Sequence, residues 1–168
     1  MLPEYIYNIW SCGLCPALVR GGRFFDGKDL RRVYDLSDTE SMPDRLERIC
    51  AMRRARDRDI AFLELLRQLV KAVSVCDDWL IPASALDLRT EMIRLTESGE
   101  VRLMLAPEGF SGIPDLPGAL ERILNEASVI HPELRSGSIL KRIRAEGISA
   151  SGSFVRIERT FSALASGL

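Results

Sequence analysis

WLIPASALDLRTEMIRLTESGEVRLMLAP, residues 79–107, sets short apolar runs between turn signals, and the architecture follows from that rhythm. Trp79-Leu80-Ile81 with Pro82 reads as an apolar turn. Met92 to Thr96 and Val101 to Leu105 read as two strands, and Glu97-Ser98-Gly99-Glu100 joins them as a tight hairpin.

Upstream of this stretch, Asp57 to Asp77 carries Ile60, Leu63, Leu66, Leu69, Val70 and Val73 as one apolar stripe at helical spacing. Phe62 and Leu65 widen it, which predicts a core helix buried on more than one side. Before it, Pro43 suits a first helical turn, and Leu46, Ile49 and Cys50 recur at helical spacing. Nearer the start, Pro16 to Val19 and Arg23 to Phe25 read as short strands around a Gly21-Gly22 turn. Asp26-Gly27-Lys28-Asp29 is a second turn, Leu30 to Leu36 a further strand, and Ser37 to Pro43 a linker. Downstream, helices are expected over Asp115 to Ala127, Pro132 to Glu146 with Gly147 as its stop, and Ser153 to Leu164. Ser149 to Ser153 reads as a connector. The expected class is α+β in a single domain, residues 1–168, with a strand-rich part over 1–40 and a helical and hairpin part over 41–168.

A chain of 168 residues, 46% hydrophobic, is long enough to bury one core. Its net charge of −1 exerts no overall pull on nucleic acid or anionic membrane. The N-terminal residues lack a basic leader pattern, and no apolar run approaches the length of a membrane span. Four cysteines without a secretory signal fit a reduced, cytoplasmic setting.

The whole pattern resembles an uncharacterised bacterial domain-of-unknown-function family found ahead of forkhead-associated (FHA) modules. The residues carrying the resemblance are Gly13-Leu14 with Pro16, Tyr34-Asp35-Leu36-Ser37, and Leu46, followed by the long helix. Trp79-Leu80-Ile81 with Leu86 and Leu88, the hairpin from Met92-Ile93 to Met104-Leu105, and Pro107 complete it. Order and gaps carry the likeness, over Tyr5 to Leu164.

The resemblance implies a degenerate protein-kinase-like, C-lobe-like outline serving bacterial signalling or secretion/pilus assembly at the inner membrane face. In protein kinases such a stretch carries a catalytic Asp, a metal-binding Asn and the Asp of Asp-Phe-Gly. With the Pro82 turn laid on the kinase loop, Trp79 falls at the base position and Ser84 at the Asn position. Leu105, Ala106 and Pro107 stand where Asp-Phe-Gly would be. The chain ends at Leu168, so phosphothreonine reading by an FHA module is not expected of it.

The residue types favour contact over chemistry. Gly21-Gly22-Arg23 fits neither phosphate-loop pattern, and the lysines Lys28, Lys71 and Lys141 sit in no nucleotide-binding motif. His131, the only histidine, precedes Pro132 at an expected helix start with no nucleophile elbow to serve. The expected protein is a non-catalytic, pseudokinase-like scaffold without cofactor or metal. Its partners would be proteins, including FHA-containing or membrane-associated assembly proteins, and not nucleic acid. Two surfaces are candidates for partner binding: the basic knot of Arg53, Arg54 and Arg56, and the Gly/Pro-rich loop carrying Phe110 and Ile113. The knot has two other readings, a solvated helix junction interleaved with Asp57 and Asp59, and an anion or lipid adaptor.

An enzyme-class alternative rests on Cys12 and Cys15, whose CxxC spacing followed by Pro16 matches redox dithiols and half a zinc knuckle. No second CxxC exists to complete four zinc ligands, and Cys50, Cys76 and His131 are scattered. In the resembled family the Cys15 position is apolar, which favours a buried small hydrophobe.

Overall fold

The structure is a computed structural model describing residues 2–27, 29–107, 116–130, 143 and 154–166. It is mixed α+β, with small antiparallel sheets and a larger helical share.

The chain opens with a helix, α1 (Glu4–Ser11), within the part expected to be strand-rich. Ile6, Tyr7 and Trp10 share its buried face. Cys12 closes α1, and Gly13 follows at φ +64°. The Gly13 amide donates to the Trp10 carbonyl and the Leu14 amide to that of Ile9, the paired bonds of a Schellman stop. The first cysteine of the CxxC therefore belongs to a helix terminus.

Pro16 to Val19 forms no strand. Leu18 makes an isolated parallel bridge with Leu103, flanked by bonds from the Val19 amide to the Leu103 carbonyl and from the Leu103 amide to that of Ala17. Gly21-Gly22, expected as a turn, begins β1 (Gly21–Asp26), which pairs antiparallel with β2 (Asp29–Tyr34). Glycine is needed at 21 for proximity: a Cβ there would collide with the Trp10 indole and the Val33 carbonyl.

The expected linker Ser37 to Pro43 contains β3 (Thr39–Ser41), which pairs with β5 (Arg94–Thr96). Ser41 then caps α2 (Met42–Cys50) in a reciprocal box with Asp44, and Pro43 occupies its first turn. Glu40 pairs with both Arg45 and Arg48, tying β3 to α2.

The long helix is α3 (Ala55–Asp78). Phe62, Leu63, Leu65, Leu66, Leu69, Val70, Val73 and Cys76 are buried along it, whereas Ile60, expected in the stripe, is exposed. α3 packs against α2, against α4 (Leu116–Ile130) and α5 (Phe154–Ser166), and against β6 (Val101–Arg102). Each fully buried Leu or Phe on it contributes roughly 1.5–3 kcal/mol.

After α3, a 3₁₀ turn (Ala83–Ala85) leads into β4 (Leu86–Asp87), and a second (Thr90–Met92) precedes β5. The expected strand Val101 to Leu105 is divided by its partners. β6 pairs with β5 across the Glu97–Gly99 turn, and β7 (Met104–Leu105) pairs with β4 instead. The helices expected near 115–127 and 153–164 are α4 and α5. The helix expected over Pro132 to Glu146 lies outside the described residues except for Ile143, which is helical and buried. The Ser149 to Ser153 connector also lies outside them.

Candidate functional site

α3 ends at Trp79, and the chain turns through Leu80 at φ +60°. The Leu80 amide donates to the Asp77 carbonyl (2.8 Å) and the Ile81 amide to that of Cys76 (2.9 Å). This repeats the stop that ends α1, but with leucine where glycine is usual. Tyr5 Oη donates to the Leu80 carbonyl (2.7 Å), pinning the turn to α1. Leu80 is 74% exposed and Trp79 partly so, while Ile81 is buried beneath them.

Ser84 is exposed within the first 3₁₀ turn, and Leu105 is buried in β7. Neither Trp79 nor Leu105 carries a side chain that ligates a cation or takes a proton, and Ser84 offers one hydroxyl. A buried carboxylate does stand nearby, on Asp87 of β4. It is engaged by its own neighbour: Arg89 donates from Nε (2.9 Å) and a terminal nitrogen (2.6 Å) to its two oxygens. A carboxylate held this way is a structural anion.

The Leu105 and Ala106 carbonyls are also taken. Arg32 donates to the Ala106 and Leu105 carbonyls and to Tyr7 Oη (2.8 Å), and Tyr34 Oη donates to the Leu105 carbonyl (3.1 Å). Burial pushes the Tyr34 phenol up, so it remains a donor. Arg32 and Tyr34 alternate along β2 and hold one hairpin face against α1 and β7. Arg23, opposite Arg32, lies over the Tyr7 ring and pairs with Glu4.

The other face of that hairpin carries Phe24, Arg31 and Val33, all exposed. Phe25 and Leu30 pair at its tip, on the same face as Arg32 and Tyr34 but beyond them. Phe25 is 76% exposed, Val33 53% and Phe24 48%. Exposed apolar side chains on both faces of a two-stranded ribbon make it a candidate contact surface. The sequence reading missed it. The available signal was the apolar content at both parities of Arg23 to Val33, more than one buried face requires.

Arg53, Arg54 and Arg56 are all exposed at the α2–α3 junction, with Arg54 preceding the first turn of α3. Phe110 and Ile113 lie outside the described residues, as does His131.

The cysteines regroup. Cys12 is exposed, whereas Cys15 and Cys76 are buried with their sulfurs 3.9 Å apart. The Cys76 thiol and the amides of Ala17 and Leu18 favour the Cys15 thiolate and bring its pKa down to about 7, below the ordinary thiol value. The Cys15 sulfur raises Cys76 in turn, with burial adding to the effect. Thus the CxxC spacing identified one member of a pair whose partner lies 61 residues away. Among the described residues, no three His, Cys, Asp or Glu side chains converge as metal ligands.

Compared with models of known families the chain matches none, and no curated protein matches it.

Proposed function

We propose that this chain is a non-catalytic protein-interaction domain, a pseudokinase-like scaffold in a bacterial signalling or secretion/pilus assembly. Resemblance to the domains found ahead of FHA modules supplies the setting. The contact surface is the β1–β2 hairpin, and the observation that carries it is a ribbon fastened at its base with apolar side chains left exposed. Arg32 and Tyr34 fasten one face onto the carbonyls of Leu105 and Ala106, while Phe24, Phe25 and Val33 stand exposed. An anchored ribbon loses little conformational freedom on docking, which favours affinity from a small apolar patch. Tyr5, Trp79 and Leu80 are further exposed apolar side chains, the Tyr5 hydroxyl donating to the Leu80 carbonyl. The arginines at 53, 54 and 56 contribute salt-sensitive steering toward an acidic partner surface.

Absence of chemistry has its own support in the residue types. Trp79, Ser84 and Leu105 occupy the would-be catalytic positions, and Asp87 is committed to Arg89. Among the described residues, no helix is long and apolar enough to cross a membrane. Placement at the inner membrane face would come through partners.

The test compares capture of FHA-containing and membrane-associated assembly proteins by the parent chain and by a Phe24→Ser/Phe25→Ser variant. The expected result is a partner held by the parent and lost by a variant whose melting temperature is unchanged. Retention of every partner by the folded variant would rule out the hairpin as the contact.

A further inference from the structure

We propose that Cys15 and Cys76 form a peroxide-responsive dithiol, in which Cys15 takes oxygen from hydrogen peroxide and Cys76 closes the disulfide. The inference is independent of the interaction reading. Its basis is the pairing of two buried sulfurs 3.9 Å apart, one in the loop after α1 and one in the last turn of α3. A disulfide requires about 2.05 Å between sulfurs, so closure asks for a shift of about 2 Å. The loop side is the one able to give, because Cys15 lies between the end of α1 and the single bridge at Leu18.

Access and polarity favour Cys15 as the attacking sulfur. It lines a cleft of about 410 Å³ together with Gly13, Pro16, Arg20, Asp35 and Arg102. The cleft admits a molecule the size of peroxide, while the slight exposure of Cys15 resists bulky thiol reagents. The Cys76 thiol first, then the Ala17 and Leu18 amides and the Arg102 charge, stabilise a sulfur anion there against the cost of burial, and the thiolate is the reactive form.

The two steps balance. The Cys15 thiolate attacks one peroxide oxygen; the S–O bond forms as the O–O bond breaks, and the departing hydroxide takes up a proton and leaves as water. Cys76 then attacks the Cys15 sulfenic acid; the S–S bond forms, the S–O bond breaks, and the second water carries away the Cys76 proton. Two thiols lose two electrons and one peroxide becomes two waters. The first step also prepares the second. The Cys76 proton is held first by its hydrogen bond to the Cys15 thiolate, then by burial and by the Cys15 charge, and the first and last of these are lost when Cys15 is oxidised.

The product would tie the loop after α1 to the core helix across 61 residues, restricting the unfolded chain. Oxidation should therefore raise the melting temperature by several degrees, reversibly with dithiothreitol.

The experiment treats the reduced full chain with hydrogen peroxide, followed by intact-mass measurement and peptide mapping. The expected result is loss of two hydrogens and of two of the four thiols, with Cys15 and Cys76 linked in one peptide pair. Cys12→Ser should leave this unchanged. Cys76→Ser should stop at a single added oxygen on Cys15 that dimedone traps. Oxidation confined to Cys12, a Cys12–Cys15 link, or survival of all four thiols would each overturn the proposal. The parent chain alone separates these outcomes, so they do not depend on any variant folding.

Discussion

Leu80 sits at φ +60° with most of its side chain in solvent, a conformation that disfavours a branched residue by roughly 1–2 kcal/mol. Glycine there would remove that strain and would add about 0.5–1 kcal/mol of unfolded-state entropy against it. The Tyr5 bond goes to the Leu80 carbonyl, so it survives the change. Leu80→Gly should therefore stabilise the chain by about 0.5–1 kcal/mol in denaturant melts, and a loss of similar size would contradict this account of the turn. The opposite holds at Gly21, where close approach of the Trp10 indole leaves no room for a methyl group. Gly21→Ala should cost about 1–3 kcal/mol, the usual range for overpacking. Residue type alone misleads at Gly21-Gly22, which looks like a turn and begins a strand, whereas Leu80 lies in the expected apolar turn and ends a helix without the usual glycine.

At the scale of elements, α3 carries the core, and its stripe was readable because the periodicity runs through most of its 24 residues. Leu66→Ala, at a fully buried position, should cost about 2–5 kcal/mol, while Ile60→Ala at the exposed edge should cost under about 1 kcal/mol. A loss below about 0.5 kcal/mol at Leu66 would mean that α3 is peripheral. α1 was less legible because its eight residues are rich in aromatic and β-branched types, and its burial depends on β1 and β2. β3 is short and polar, and only pairing with β5 makes it a strand. The split of 101–105 into β6 and β7 and the Cys15–Cys76 pairing are likewise products of distant contacts, which no local spacing records.

The capping box of α2 provides a titratable check. Ser41→Ala should cost about 1 kcal/mol near neutral pH. Hydrogen bonds from the Ser41 hydroxyl and backbone hold the Asp44 carboxyl below its ordinary value, the hydroxyl contributing most. A depressed folded value means a contribution present above the unfolded carboxylate range and lost as pH falls through the folded one. The gap between parent and variant should therefore narrow as the solution is acidified below the normal Asp range. A gap that widens there would contradict the assignment.

Across the whole molecule, the proposal separates frame from chemistry. Millimolar ATP with Mg²⁺ should leave the melting temperature unchanged, since only a ligand that prefers the native state raises it. A reproducible Mg²⁺-dependent rise of several degrees would place a nucleotide where contact alone is proposed. Charge reversal at Arg53, Arg54 and Arg56 should slow partner association at low salt and matter little at high salt. The central claim is that the β1–β2 hairpin is the surface a partner covers. Hydrogen exchange on the purified complex tests it directly. Amides from Gly22 to Val33 should exchange more slowly in the complex than in the free chain, with α3 unchanged. Equal hairpin exchange in both states, with new protection elsewhere, would contradict the account.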